Sequence, residues 1–80
     1  MQIEHVTEYR GFLVRSLVTF MEGGRYAAAA IVADRTGEAR TLGVDGDFAE
    51  ADEARDQATE LAMAWIDRRN VVSDHYVRRA

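Results

Sequence analysis

The sequence predicts an α+β fold, a three-stranded antiparallel sheet (β-β-β) followed by one long C-terminal helix packed on one face. Three observations carry this expectation. Two runs of β-branched and aromatic residues flank a Gly23-Gly24 pair; a turn signal at Asp34-Arg35-Thr36-Gly37 follows; and beyond Gly46 the apolar period changes from two to 3.6.

The first strand is expected over 9–22. Phe12, Val14, Val18 and Phe20 alternate onto one face, and Leu13, Leu17 and Met21 onto the other. Ser16 interrupts the first set; Arg15 and Thr19 interrupt the second. Residues 1–8, with only Ile3 and Val6 as apolar anchors, form either a short extra strand or a loose lead-in. Gly23-Gly24 supplies the positive φ angles of a two-residue hairpin turn. The second strand is expected over 25–34. Its run Ala27 to Ala30 is helix-prone in isolation, but Ile31-Val32 and the turns on both sides favour a strand. The third strand is expected over 38–44, with Arg40, Leu42 and Val44 on one face, and Asp45-Gly46-Asp47 ends it.

The helix is expected over 51–69. Ala51, Ala54, Ala58, Leu61, Ala62, Trp65 and Ile66 form its apolar stripe. Glu50, Asp52 and Glu53 at its start and Arg68-Arg69 at its end complement the helix dipole, and Asn70 tolerates the left-handed conformation that ends helices. Residues 71–80 are read as a tail, or as a segment that folds Val71, Val72 and Tyr76 back onto the sheet. The stripe points to the face bearing Phe12, Val14, Val18 and Phe20, with Trp65 and Ile66 plugging the far end and Trp65 largely buried.

Eighty residues fit a single domain spanning 1–80. A chain this short buries only roughly 60% of the surface its unfolded form exposes. With no Cys, neither disulfides nor thiolate metal sites can reinforce it, which raises the expectation of association with another chain. The opening residues carry no basic segment followed by an apolar run, and no apolar stretch approaches the roughly 20 residues of a membrane span. A cytoplasmic location is therefore expected.

All ten basic side chains are Arg. Arginine suits phosphate recognition, but Ala, Gly, Asp and Val are abundant too, so the bias reads first as the mark of a GC-rich bacterial genome. The formal net charge of −4 also argues against a nucleic-acid binder. Charge is uneven along the chain. Between Tyr9 and Gly46 five Arg face four acids, whereas between Asp47 and Arg69 seven acids face three Arg. An Arg-bearing sheet reading DNA is accordingly the alternative function, with Arg10, Arg15, Arg25 and Arg40 as its contacts.

No catalytic, metal or cofactor constellation emerges. His5 and His75 lie near opposite ends of the chain without a ligand pattern. Neither Ser16 nor Ser73 sits in a nucleophile elbow. Asp45-Gly46-Asp47 lacks the spaced ligands and closing Glu of an EF-hand. Gly23-Gly24 lacks the Lys of a phosphate loop. An enzyme is not expected, nor a small-molecule ligand.

One helix covers one side of a sheet, which leaves Leu13, Leu17 and Met21, with Ile31 beside them, as the candidate interface on the other. An uncovered apolar face marks an interaction surface. The expected function is therefore a small bacterial protein-interaction domain, pairing as a homodimer or with another protein.

The segment Gly46-Asp-Phe-Ala-Glu-Ala-Asp-Glu-Ala-Arg-Asp-Gln-Ala58, placed after the strands, resembles the strand-to-helix passage of HicB-like antitoxin domains. These share a Gly, a capping residue and a Glu-Ala that opens an alanine-spaced helix. The chain has no proline, hence no proline-glycine turn before the third strand, and no DNA-binding segment is evident. The resemblance implies shape more than activity. It extends equally to other small bacterial domains of strand-strand-strand-helix layout.

Overall fold

The computed structural model describes residues 2–79, with side chains over residues 2–69. It contains four strands and one helix: β1 (Gln2–Tyr9), β2 (Phe12–Met21), β3 (Arg25–Ala33), β4 (Ala39–Gly43) and α1 (Ala51–Arg79). The strands form one antiparallel meander in the order β1-β2-β3-β4, and α1 packs across β2 and β3, reaching β4. The fold is α+β with a C-terminal helix on the sheet, but the sheet has four strands rather than three.

The additional strand comes from a hairpin inside the segment read as one strand over 9–22. Tyr9 pairs with Phe12, so Arg10-Gly11 is a two-residue turn. Both turn residues have positive φ, 50° for Arg10 and 83° for Gly11, the pairing of angles that matches a hairpin turn to strand twist. Glycine adopts this without penalty; Arg10 does so at a steric cost. The turn is tied to the helix, since Arg10 Nε lies 3.1 Å from Asp67 Oδ1 and the Tyr9 hydroxyl donates to the Asp67 carboxylate at 2.9 and 3.0 Å.

The Gly23-Gly24 turn is present, with φ of 85° and 74°. Because Met21 pairs with Arg25, three residues rather than two span it. The β3–β4 turn is closed by the Asp34 amide donating to the Glu38 carbonyl at 3.0 Å. After β4, Phe48 and Tyr26 exchange backbone hydrogen bonds at 2.8 Å, and Arg25 pairs with Asp47 at 2.8 Å, which fixes the approach to the helix. Gly46 takes its expected positive φ of 85°.

The core lies between α1 and the face of β2 and β3 that carries Val14, Ser16, Val18, Ala28, Ala30 and Val32. Ala54, Ala58 and Ala62 of α1 are fully buried against it. Alanine on both surfaces lets the helix backbone approach the sheet closely, which is why a helix-prone alanine run serves as a central strand: Ala28 and Ala30 lie under α1 while Ala27 and Ala29 point to the other face. Ser16 is 1% exposed, and its hydroxyl lies 2.7 Å from that of Thr59. Thr59 spends its only hydroxyl proton on the Arg55 carbonyl, 2.9 Å away, so Ser16 is the donor to Thr59. The polar interruption of the inward face is thus a satisfied link between β2 and α1.

Three packing expectations change. Ile66, fully buried, plugs the far end; Trp65 is only half-buried at the flank, edge-on to Phe12 with centroids 6.3 Å apart. Leu61 and Phe20 are exposed, with Phe20 standing edge-on to Tyr26 at 5.4 Å between ring centroids. The helix also continues beyond Arg69, since Asn70 permits but does not enforce a stop and neither Gly nor Pro follows it. The folding-back of Val71, Val72 and Tyr76 lies outside the described side chains, as does His75.

Candidate interaction surface

The register of the sheet defines its second face. Paired residues in an antiparallel ladder point to the same side, so the side opposite α1 carries Glu4, Val6 and Glu8 from β1 and Leu13, Arg15, Leu17 and Met21 from β2. From β3 it carries Arg25, Ala27, Ala29, Ile31 and Ala33, and from β4 Thr41 and Gly43. All four expected interface residues, Leu13, Leu17, Met21 and Ile31, are brought together here. Among the described residues no element covers this face. Leu13 is 45% and Met21 40% exposed, while Leu17 and Ile31 are half-buried by their neighbours along the ladder.

Two contributions escape a reading by alternation alone. Val6, opposite Arg15 and 48% exposed, extends the apolar area onto β1. Placing it requires the β1–β2 register, which the Arg10-Gly11 turn sets. Ala27, Ala29 and Ala33, with Gly43 on β4, keep the middle of the face low, so that Leu17 and Ile31 stand above a surface of small groups.

The charge on this face is close to balanced, within about one unit once Asp47 is counted beside Arg25, although the chain carries −4. The strands contribute two glutamates, Glu4 and Glu8, and two arginines, Arg15 and Arg25. Arg15 pairs with Glu4 at 3.0 Å. The outer surface of α1 is instead acidic, with Asp52, Glu53, Asp56 and Glu60 all exposed.

The four arginines weighed as nucleic-acid contacts do not share a surface. Arg15 and Arg25 lie on the open face, Arg10 sits in the first turn, and Arg40, opposite Val32, points to the helix side. Arg10, Arg15 and Arg25 each form an ion pair with a carboxylate at 2.8 to 3.1 Å. Among the described residues no group of three His, Cys, Asp or Glu side chains could hold a metal ion, and His5 is exposed on β1. No helix among the described residues is long and apolar enough to cross a membrane.

The Asp34 carboxylate lies in the β3–β4 turn. The Thr36 hydroxyl donates to Asp34 Oδ1 at 2.6 Å, joined by the backbone amides of Thr36 at 2.9 Å and Glu38 at 3.2 Å, and these hydrogen bonds hold the Asp34 pKa below its ordinary value. The group organises its own loop and lies away from the open face.

Compared with protein-family models, curated proteins and solved structures, the chain matches none of them.

Proposed function

We propose that this chain is a small bacterial protein-interaction domain that self-associates through the open sheet face. The observation that carries the reading is the Leu13, Leu17, Met21, Ile31 and Val6 surface, opposite the helix and covered by nothing among the described residues. Area and charge both favour a second copy as the occupant. The strands average eight residues. At about 3.3 Å per residue and about 4.8 Å between strands they make a face of about 500 Å². Two copies would bury on the order of 1,000 Å², the lower bound of a specific interface. With Asp47 counted beside its partner Arg25, the face carries only about one net negative charge, so pairing it with itself meets modest net repulsion, while the acidic helices point outward. A two-fold axis between the sheets covers both apolar surfaces with one contact type.

The rival geometry is edge pairing through β1, whose outer edge has no strand partner among the described residues. Leu17→Glu separates the two. The wild type is expected at twice the monomer mass by light scattering, and Leu17→Glu is expected to dissociate it while leaving the helical circular dichroism intact. A wild-type monomer at several hundred micromolar, or a Leu17→Glu variant that stays dimeric, would overturn the reading.

A further inference from the structure

The sheet ends in two edge strands, β1 with eight residues and β4 with five. Which backbone groups β1 leaves free follows from its turn. Tyr9 and Phe12 flank the two-residue Arg10-Gly11 turn, so they form a hydrogen-bonded pair, and bonded and non-bonded pairs then alternate along the ladder. Thr7, His5 and Ile3 therefore bond to β2, while the N–H and C=O groups of Glu8, Val6, Glu4 and Gln2 point to the outer edge.

Two apolar side chains flank this edge on opposite faces of the sheet. Val6 is 48% exposed on the open face, and Ile3, opposite Val18, is 44% exposed on the helix side. Pairing of two open faces covers Val6 but does not reach Ile3, whereas a strand laid along the edge lies beside both. Charge selects which strand fits. Arg15 pairs with Glu4 at 3.0 Å and Glu8 stands opposite Leu13, so Glu4, Glu8 and Arg15 together leave the edge acidic. A second β1 matches it poorly. The antiparallel register that sets Glu4 against Val6 puts the glutamates of both copies on adjacent diagonals, and the register centred on Val6 sets Glu4 directly against Glu8.

We propose that the β1 edge takes an extended segment of another protein, carrying basic and apolar residues, as an added antiparallel strand. Backbone hydrogen bonds supply the affinity and side chains the selection: basic residues meet Glu8 and Glu4, and apolar ones meet Val6 and Ile3. The site does not depend on the self-association proposed above, because an added strand extends the open face without covering Leu17.

The probe is the acetylated and amidated peptide Lys-Thr-Val-Thr-Lys-Val-Thr, which places its lysines against Glu8 and Glu4 and its valines against Val6 and Ile3. One comparison peptide has both lysines replaced by glutamate. A second is N-methylated at the first valine, which keeps the charge but removes the N–H directed at the Val6 carbonyl. In an NMR titration of the wild type at low ionic strength, the lysine peptide is expected to shift the amide signals of Glu4, Val6 and Glu8 with a Kd on the order of 1 mM, and to slow hydrogen exchange at the same amides. Both comparison peptides are expected to bind at least fivefold more weakly, and Glu8→Gln to weaken the lysine peptide about two- to fivefold. Equal binding of either comparison peptide, shifts centred on Asp52, Glu53, Asp56 and Glu60 of α1 instead of β1, or no saturable shift at millimolar peptide would overturn the proposal. The wild-type comparison decides the matter if Glu8→Gln fails to fold. Light scattering reads self-association separately, and the peptide is expected at the β1 edge whether the wild type is found as a monomer or a dimer.

Discussion

Replacing Thr59 by Val changes one hydroxyl for one methyl at nearly constant volume, and the structure assigns the consequence to a different residue. Ser16 Oγ, 1% exposed, donates to Thr59 Oγ1 at 2.7 Å. In Thr59→Val that proton loses its acceptor where water has little access, a loss of about 1–3 kcal/mol. Ser16→Ala is milder, at about 0.5–1.5 kcal/mol, because Thr59 keeps its bond to the Arg55 carbonyl. Once Ser16 is Ala, Thr59→Val strands nothing, so the double variant should be about as stable as Ser16→Ala alone. The coupling energy is then on the order of 1 kcal/mol, well above the usual few tenths for independent sites. Urea unfolding followed by circular dichroism at one fixed protein concentration measures all four corners of the cycle. For a domain of this size each 1 kcal/mol also moves Tm by about 4–8 °C. Additive effects, or a Thr59→Val variant as stable as wild type, would refute the donor assignment and the role of the pair in fixing β2 against α1.

Three further outcomes follow from other parts of the structure. Ile66→Ala should cost about 2–5 kcal/mol, because its side chain is fully enclosed, and should exceed the cost of Trp65→Ala at the half-buried flank; chemical denaturation that ranks them the other way would contradict the packing. Gly11→Ala should destabilise by about 1 kcal/mol or more through its φ of 83°, since a Cβ there meets only the Arg35 guanidinium at 3.6 Å, an ordinary contact; unchanged thermal stability would argue against the Arg10-Gly11 hairpin. The Asp34 carboxylate has a lowered folded pKa, so the stability it contributes is present above the ordinary value of 3.8 and is lost as pH falls through the lowered one. Thr36→Val should move the Asp34 NMR titration midpoint upward, and a midpoint that stays put would remove the Thr36 hydroxyl as its main cause.

The elements that sequence reveals most clearly are those whose local pattern and tertiary role agree. α1 combines a 3.6 period, acidic residues in its first turn and a glycine turn before it, and it begins at Ala51 as expected. The inward face of β2 was readable from Val14 and Val18, and the open face from Leu13, Leu17 and Met21, because the apolar residues keep a period of two despite the polar interruptions at Arg15, Ser16 and Thr19. β1 was obscured for a physical reason. As an edge strand only partly under the helix, it carries Glu4, His5, Thr7 and Glu8 and lacks a strong apolar face. Its turn also places Arg, rather than the usual Asn or Asp, in the first positive-φ position. Trp65 was expected inside because of its size, yet it meets Arg40 and Arg69 at the rim, where an indole can bury one part and stack with the other. No linear pattern announces that corner, since it joins β2, β4 and α1 across the sheet.

The most direct test of the central claim, that the open sheet face is where this domain pairs, is isotope-filtered NMR on a mixture of labelled and unlabelled copies. Side-chain signals from Leu13, Leu17, Met21 and Ile31 of one copy should show through-space contacts to the same face of the other, at a mass near twice 9.0 kDa. Intermolecular contacts confined to the β1 edge, or none at several hundred micromolar with the mass of a single chain, would contradict it.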